Sequence, residues 1–300
     1  MHSKDKIAII GVGRWGRNLL KTLSTRAEVA LICHASNTST DEWLTKEYPG
    51  IPVTHDVNEV MQRDDILAVC IATPIQTHAF LTRLALEHNK DVFVEKPLCS
   101  DWKEAESLTT LAREKNRILM VGYLYLYHEL WQKLKLEIAN KQVRHILFTW
   151  EKYGSFHEDG VWNLAVHEVA LANDLLGTPL LAHIVPIASV LGVHDVYTFS
   201  LEYPGNKKAT GIVNRLSSTT HHTVTIITDT TTYLWDGTRI LCAEKEKEPT
   251  LILESSSLPL DRECDAFIEA LHSRREPLTN GEQATAVTKI IAEAFPKNDQ

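Results

Sequence analysis

Two short motifs in this 300-residue chain combine residue types that bind and transform small molecules. Gly11, Gly13 and Gly16 form a GxGxxG pattern directly after a short apolar run, and Lys96 directly follows a later one. Glycines at this spacing, between a strand and a helix, are typical of a binding site for a dinucleotide pyrophosphate. Together the motifs predict a dinucleotide site with a catalytic lysine beside it.

The context of the glycine motif supports this prediction. Lys6–Ile10 has the continuous apolar pattern of a strand buried on both faces, and Arg14–Leu23 has the pattern of a helix. Gly11 would allow the tight turn, Gly13 the close approach of the pyrophosphate, and Gly16 the packing of helix on strand. The helix N-terminus would offer N–H groups and partial positive charge to the phosphates. A glycine turn without a ligand is the alternative interpretation.

The elements that must position these motifs alternate in type up to residue 121. Strand-like apolar runs are separated by helical patterns, and this alternation is typical of a doubly wound parallel sheet, the N-terminal Rossmann domain of an α/β protein. The predicted strands are Ile7–Ile10, Val29–Cys33, Ile66–Ala72, Val92–Val94 and Ile118–Val121.

After residue 121 the pattern changes to that of an α+β domain with a large, mostly antiparallel open sheet, because strand-like runs follow one another across short turns. The predicted strands are His145–Trp150, Ala182–Val190, Val196–Tyr203, Ala209–Leu216, Thr223–Thr228 and Thr231–Trp235. The predicted helices are Glu129–Ala139, Trp162–Leu176, Pro259–Leu271 and Glu282–Phe295. We therefore expect two domains, 1–121 and 122–300, with the last helix a candidate to pack back on the Rossmann domain.

Composition narrows the class of protein. A net charge of −8 argues against nucleic acid as the main partner, and the chain has no apolar run of the ~18 residues that a membrane span needs. No signal peptide is recognisable, so we expect a cytoplasmic protein without a membrane partner. The five cysteines lack CxxC spacing, and His221-His222 lacks partners at ligand spacing. We expect no metal, and an exposed sheet pair at these histidines.

The chain resembles the Gfo/Idh/MocA family, which includes glucose-fructose oxidoreductase and inositol dehydrogenase, over nearly its whole length. Trp162–Glu168 is similar to the central catalytic helix of the members that act on nucleotide-linked amino sugars. The other segments that carry the resemblance are Ile71–Pro74 with His78, Asp91–Leu98, Leu258–Leu260, Cys264–Ile268 and Thr279–Gly281.

This resemblance implies an NAD- or NADP-dependent oxidoreductase that moves hydride between the nicotinamide and a secondary alcohol or ketone carbon of a sugar, in particular a nucleotide-linked amino sugar lying between the two domains. Such chemistry needs a proton acceptor and a group that stabilises the developing alkoxide. His167 is the candidate acid/base, because histidine ordinarily titrates near ~6.5. Lys96 would orient the hydroxyl and favour its deprotonated form. A surface ion pair of Lys96 with Glu95 and a purely structural His167 are the alternatives.

One position departs from the family pattern. Four residues before His167 the family usually carries an aspartate, one helical turn away on the same face, and this chain has Asn163. An amide keeps the hydrogen-bonding shape but cannot act as a base, so proton transfer would depend more on His167. Glu168 lies about 100° further around the helix and is a poor substitute.

The choice between NAD and NADP stays open. No acid follows the second strand to repel a 2′-phosphate, and no arginine stands there to bind one. A polar turn without cofactor contacts is the alternative for this segment. The predicted cofactor contacts are Gly11, Gly13, Arg14, Trp15, Gly16, His34, Ser36, Asn37, Thr73, Pro74, His78, Glu95, Lys96 and Pro97.

Several candidate substrate contacts follow the Rossmann domain. Tyr123, Tyr125 and Tyr127 alternate, which would place three phenols on one side of an extended segment, and aromatic rings with hydroxyls suit sugars. A core aromatic cluster is an equally good interpretation. The other predicted substrate contacts are Glu151, Tyr153, Asn163 and His167.

Two further readings of the chain remain. Fold alone does not establish chemistry, so a non-catalytic NAD(P)-binding protein with a degenerate site is one alternative, and a reductase of another small carbonyl compound is another. An antiparallel sheet with one uncovered face also suggests self-association, and we expect a homodimer or homotetramer formed through this sheet.

Overall fold

A computed structural model describes residues 5–153, 159–191 and 194–295 of the chain. The described residues divide into two compact units. The first takes in the residues up to Tyr123 together with Leu260–Thr285, and the second takes in Leu124–Pro259 and the residues from Ala286 onward. No helix in the described ranges combines the length and the apolar character needed to cross a membrane.

The first unit is built on a parallel sheet of β1 (Lys6–Ile10), β2 (Glu28–Cys33), β3 (Val53–Thr54), β4 (Ala68–Ile71), β5 (Asp91–Glu95) and β6 (Leu119–Gly122). The strand order is β3-β2-β1-β4-β5-β6, so the direction of winding reverses between β1 and β4. In such doubly wound sheets ligands bind at the carboxyl ends of the strands beside the reversal. The predicted Rossmann sheet is therefore confirmed.

Helices accompany both sheets, and the first helix, α1 (Arg14–Leu23), begins within the glycine motif. In this helix Gly16, Leu19, Leu20 and Leu23 form the buried face, as its sequence period predicts. The helices are α1 (Arg14–Leu23), α2 (Thr38–Glu47), α3 (Val57–Gln62), α4 (Ile75–Glu87), α5 (Trp102–Glu114), α6 (Glu129–Ile138), α7 (Val166–Leu176), α8 (Pro259–Ser273) and α9 (Gly281–Ala294).

Helix α8 packs within the first unit although it lies far along the chain. Arg26 donates to Asp265 at 2.6 Å and to Asp261 at 2.9 Å near the start of the helix. Just beyond its end, Arg274 forms a two-pronged pair with Asp91 at 2.6 and 3.0 Å. The division predicted from the sequence places all of 122–300 in the second domain, whereas Leu260–Thr285 group with the first unit. An amphipathic pattern shows which face a helix buries but not its partner.

The second unit contains a large, mostly antiparallel sheet, as predicted. Its strands are β7 (Val143–Glu151), β8 (Leu181–Ala188), β9 (Val196–Tyr203), β10 (Lys207–Asn214), β11 (His221–Thr228), β12 (Thr231–Trp235), β13 (Arg239–Glu244) and β14 (Thr250–Glu254). The strand order is β14-β13-β12-β11-β7-β10-β9-β8, and β7 pairs with β10 in parallel while the other neighbours are antiparallel.

Strands β13 and β14 are not among the predicted strands. β14 lies at the edge of the sheet, and its residues are exposed or half-buried along its whole length. A half-solvated edge strand lacks the regular alternation that identifies a strand in sequence. The charged segment 245–249 between them is an exposed turn.

The tyrosine segment after β6 is not extended. Residues Leu124–Tyr127 form a 3₁₀ turn that leads into α6. Such a turn has three residues per revolution, so side chains two positions apart do not share a face. The expectation of three phenols on one side is therefore wrong, and Tyr123 belongs to the first unit whereas Tyr125 and Tyr127 belong to the second.

Candidate active site

A cavity of about 480 Å³ lies at the carboxyl ends of β1, β2 and β4, beside the reversal in strand order. The predicted cofactor contacts on its wall are Gly11, Gly13, His34, Thr73 and Pro74. These residues come from three separate loops, and the parallel sheet brings them together because its strands end at one edge.

The glycines of this cavity have distinct roles. Gly11 has φ +95°, and a Cβ there would lie 2.6 Å from the carbonyl oxygen of Ala72. A Cβ on Gly16 would lie 2.1 Å from the carbonyl oxygen of Gly11, so this glycine allows α1 to pack on the turn. A Cβ on Gly13 would meet no atom within 4 Å. Gly13 therefore leaves open space that a ligand can approach closely.

The first turn of α1 supplies the donors that a phosphate needs. The helix begins at Arg14, and its N-cap Gly13 has no side chain to bind the N–H groups of this turn. These groups and the positive end of the helix dipole attract an anion. The open space at Gly13 and the donors beside it fit a dinucleotide pyrophosphate. Arg14 and Trp15 both lie in this turn.

The end of β2 differs in part from the sequence-based expectation. His34 lies on the cavity wall, but Ser36 and Asn37 do not. The Asn37 side chain caps α2, accepting a hydrogen bond from the Thr40 amide at 3.2 Å. His55, which follows the two-residue strand β3, does line the cavity. It was missed because so short a strand gives no periodic signal.

Glu95 is the buried last residue of β5 and directly precedes Lys96. It accepts a hydrogen bond from the indole N–H of Trp15. Burial raises the pKa of Glu95 to about 7, while the Trp15 hydrogen bond and the Lys96 charge oppose the rise. Burial and the charge of nearby Glu95 raise the pKa of Glu263 on α8 well above its usual range. Glu95, which is adjacent to Lys96 in sequence, is thus one of two neighbouring buried carboxyl groups.

His78 joins two of the loops around the cavity. Its ring is buried on α4, with Nδ1 2.8 Å from the Pro97 carbonyl oxygen and Nε2 2.8 Å from that of Thr73. It braces the loops after β4 and β5 rather than lining the cavity. Lys96 follows β5 directly and is half-buried, and its peptide bond to Pro97 is cis.

The second unit holds a separate cluster of aromatic and histidine rings around His167. This residue is buried in the first turn of α7, and its ring meets Tyr125 edge-on at a centroid distance of 5.1 Å. Tyr125 also packs against His222 at 5.0 Å and Trp150 at 5.6 Å. Burial, with the charge of Glu168 adding to it, raises the pKa of Tyr125 above its usual range. Tyr125 and His167 are the predicted residues that the structure brings together here.

A buried hydrogen-bonded pair that the sequence did not reveal lies in this cluster. Glu168 has no solvent exposure, and its Oε1 lies 2.7 Å from Nε2 of His222. His222 is the register partner of Trp150 across β11 and β7, which explains their centroid distance of 4.4 Å. The expectation of an exposed histidine pair is therefore wrong for His222, which is largely buried. Only the fold could reveal this pair, because its residues lie on different elements.

Asn163 lies in a π-helical turn, Val161–Ala165, which runs directly into α7. Tyr197 on β9 holds this turn, because its hydroxyl accepts from the Ala165 amide at 3.0 Å and donates to the Gly160 carbonyl at 2.9 Å. Single π-helical turns are frequent at functional sites. The sheet thus fixes the segment that carries Asn163 and His167.

The remaining predicted substrate contacts are dispersed. Tyr123 is fully buried in the first unit, and burial raises the pKa of its phenol above the usual range. Tyr127 is also buried, Glu151 ends β7, and Tyr153 is 61% exposed.

Comparison with known proteins gives a family match in the first unit and relatives along the whole chain. Residues 6–123 match the model of the GFO_IDH_MocA group, described as an oxidoreductase family with an NAD-binding Rossmann fold. The chain is 23% identical over 310 residues to 4-carboxy-2-hydroxymuconate-6-semialdehyde dehydrogenase of Sphingobium sp., which covers 96% of this chain and 97% of that protein. It is 27% identical to scyllo-inositol 2-dehydrogenase (NAD(+)) of Bacillus subtilis over 60% of this chain and 56% of that one.

A solved structure supports the fold. The UDP-N-acetylglucosamine 3-dehydrogenase of Acidithiobacillus ferrooxidans has a TM-score of 0.89 to this chain, with 20% identity and coverage of 96% of each chain. The resemblance recognised from the sequence motifs is thus confirmed. Residues 6–123 of the chain match the NAD-binding Rossmann domain of the Gfo/Idh/MocA oxidoreductase family.

Proposed function

We propose that this protein transfers hydride between a nicotinamide dinucleotide and a secondary alcohol or ketone carbon of a sugar, in particular a nucleotide-linked amino sugar. The observation that carries the proposal is the glycine-walled cavity at the ends of β1, β2 and β4. Its open space at Gly13 and the helix donors beside it suit a pyrophosphate.

The bound dinucleotide supplies the hydride acceptor or donor, and the protein supplies binding and proton transfer. Gly13 and the first turn of α1 would hold the pyrophosphate, and Thr73 and Pro74 also line the cavity. Lys96 would stabilise the substrate oxygen as negative charge develops on it. The raised pKa of Glu95 beside it would weaken the competition of this carboxyl group for the Lys96 charge.

His167 would hold and release the substrate hydroxyl proton. The Tyr125 and Trp150 rings around it make a partly apolar setting in which a sugar face can pack. Asn163, one turn earlier, would donate or accept a hydrogen bond without taking the proton. This arrangement supports either direction of hydride transfer, because the same group that accepts the proton in oxidation returns it in reduction.

The substrate class is supported by the relatives and by the helix motif. Two relatives are named for a cyclic polyol and a nucleotide sugar, and Trp162–Glu168 resembles the catalytic helix of the nucleotide-sugar subgroup. We expect turnover with UDP-N-acetylglucosamine or a related nucleotide sugar, and less with scyllo-inositol, followed by nicotinamide absorbance.

Substitution tests the two catalytic roles. His167→Ala and Lys96→Met should each lower kcat by about 10²–10⁴-fold, the usual contribution of a positioned acid/base or oxyanion group. His221→Ala and Lys46→Ala alter exposed side chains of the same types and should leave kcat unchanged. If His167→Ala and Lys96→Met matched the wild type on an active substrate, the roles proposed for these residues would be wrong.

A non-catalytic dinucleotide-binding protein is the second candidate, and Asn163 is the observation that favours it. A protein of this second kind would bind the dinucleotide tightly and transfer no hydride to or from any sugar, polyol or carbonyl compound.

A further inference from the structure

Three side chains with metal-binding atoms converge at the end of β2, outside the residues given catalytic roles. Nε2 of His34 lies 2.9 Å from Oδ1 of Asp41, and Nε2 of His55 lies 3.6 Å from the same oxygen. All three ligand atoms lie within 4.8 Å of one another. The elements that bring them together are β2, α2 and the loop after β3.

The hydrogen bond made by Nδ1 of each histidine ring determines whether Nε2 carries a proton or a lone pair. Nδ1 of His34 lies 2.6 Å from the Ala35 carbonyl oxygen, and Nδ1 of His55 lies 3.0 Å from the His34 carbonyl oxygen. A carbonyl oxygen only accepts, so each Nδ1 must carry the ring proton. In the neutral ring, Nε2 is then a bare lone pair, and both lone pairs are directed toward the Asp41 carboxylate.

The Nε2 lone pairs and the carboxylate repel one another unless each ring takes up a proton or a metal ion lies between them. A backbone carbonyl that holds Nδ1–H is also the usual arrangement behind a metal-bound histidine, since it fixes the tautomer and the ring orientation. Two neutral imidazoles and one carboxylate form a donor set that suits zinc and its neighbours, rather than magnesium or calcium.

The distances are close to those of such a site. Ligand bonds of about 2.0–2.1 Å in a tetrahedron place neighbouring ligand atoms about 3.3 Å apart. The two distances to Asp41 Oδ1, 2.9 and 3.6 Å, lie on either side of this value. The third distance, between the two histidine nitrogens, is at most 4.8 Å, and binding would shorten it through movement of His55, whose side chain is 43% exposed.

We propose that His34, Asp41 and His55 bind a divalent transition-metal ion of the zinc type, with the remaining coordination position open to water or a ligand. His34 and His55 also line the cavity described above, so the ion is reached from that cavity. The proposal does not rest on the proposed hydride transfer, and the ion is tested without dinucleotide because both would use the same cavity.

Calorimetric titration with Zn²⁺ tests the site, using the full chain after dialysis against a chelator and without dinucleotide. We expect one ion bound per chain, and a loss of affinity of about tenfold or more in Asp41→Asn and in His55→Gln, since even outer-shell changes cost 10–100-fold. His183→Ala removes an exposed histidine on β8 and should bind Zn²⁺ as the wild type does.

Each other outcome overturns the proposal. If the wild type binds no Zn²⁺, the cluster is a protonated histidine–aspartate pair only. If all variants bind equally well, the ion lies elsewhere on the surface. Asp41→Asn keeps the size of a half-exposed helix residue, and its unchanged thermal unfolding without metal would show that lost affinity is not lost folding.

Discussion

Among single residues, Glu168 is the buried acid that follows Asn163 along the chain, and its partner is His222 rather than a predicted site residue. An acid usual in the family is replaced there by Asn163, but the next turn of the chain carries a buried carboxylate paired with His222. The pair packs beside Tyr125, which itself contacts His167. The local sequence predicts the angular position of Glu168 on its helix but not its partner, which comes from a strand far along the chain.

We expect the buried Glu168–His222 pair to be essential to the stability of the second unit. His222→Phe leaves the fully buried Glu168 carboxyl group without this hydrogen-bond partner, which costs about 1–3 kcal/mol of unfolding free energy or more. His221→Phe changes the exposed neighbour and should stay within about 0.5 kcal/mol of the wild type. Urea unfolding of both variants measures the difference, and equal losses would contradict the role of the pair.

Glu95 makes stability depend on pH. Its pKa is raised from the ordinary 4.5 to about 7, so between these values the folded protein binds more protons than the unfolded chain. The stability contributed by the protonated group is present below pH 4.5 and is lost as pH rises through 7. We expect the wild type to lose about 3 kcal/mol relative to Glu95→Gln across this window.

Urea unfolding of the wild type and Glu95→Gln at a series of pH values measures this difference directly. The comparison cancels the titration of other carboxylates, such as Asp65, whose pKa is lowered by hydrogen bonds to Arg63 and Lys6. Parallel pH curves for the two proteins would show that Glu95 ionises normally in the folded state.

At the scale of elements, the turn between β1 and α1 contains one glycine that ligand binding needs, Gly13, and one that helix packing needs, Gly16. Gly13→Ala places a methyl group in open space, so the melting temperature of the variant should match that of the wild type. Its dinucleotide affinity should fall about tenfold or more, because the methyl group keeps the phosphate from approaching the backbone. Gly16→Ala drives a methyl group into the Gly11 carbonyl and should destabilise the protein by about 1–3 kcal/mol or more.

Thermal unfolding with and without dinucleotide measures both effects. Full dinucleotide affinity in Gly13→Ala would mean that the pyrophosphate does not approach this glycine. A normal melting temperature in Gly16→Ala would contradict the close packing of α1 on the turn.

Elements with strong local signals could be predicted from the sequence, and elements that depend on distant partners could not. Helix α1 was predicted with its observed bounds, because its apolar period and its glycine start are both local. The 3₁₀ turn after β6, the edge strand β14 with its neighbour β13, and the packing of α8 in the first unit depend on neighbours or on solvent. For the same reason the sequence did not predict the contacts of His55, Asp41 and His222, because tertiary packing brings each of them to its partners.

At the scale of the whole molecule, the outer face of the second sheet is the proposed site of self-association. Leu147, Ile212 and Ile227 lie on neighbouring strands with 36–43% of each residue exposed, among half-buried threonines. We expect a homodimer or homotetramer by sedimentation, and dissociation toward monomer in Ile212→Glu. Leu136→Glu, on an exposed position of α6, is the control. A wild-type monomer would contradict this proposal.

Calorimetric titration of the purified protein with NAD⁺, NADH, NADP⁺ and NADPH tests the central claim most directly, since every proposed catalytic role depends on the dinucleotide site. We predict micromolar binding of one oxidised and reduced pair at one site per chain, which would also decide between NAD and NADP. Binding of none of the four would contradict the account, because the glycine-walled cavity would then be a Rossmann scaffold without its cofactor.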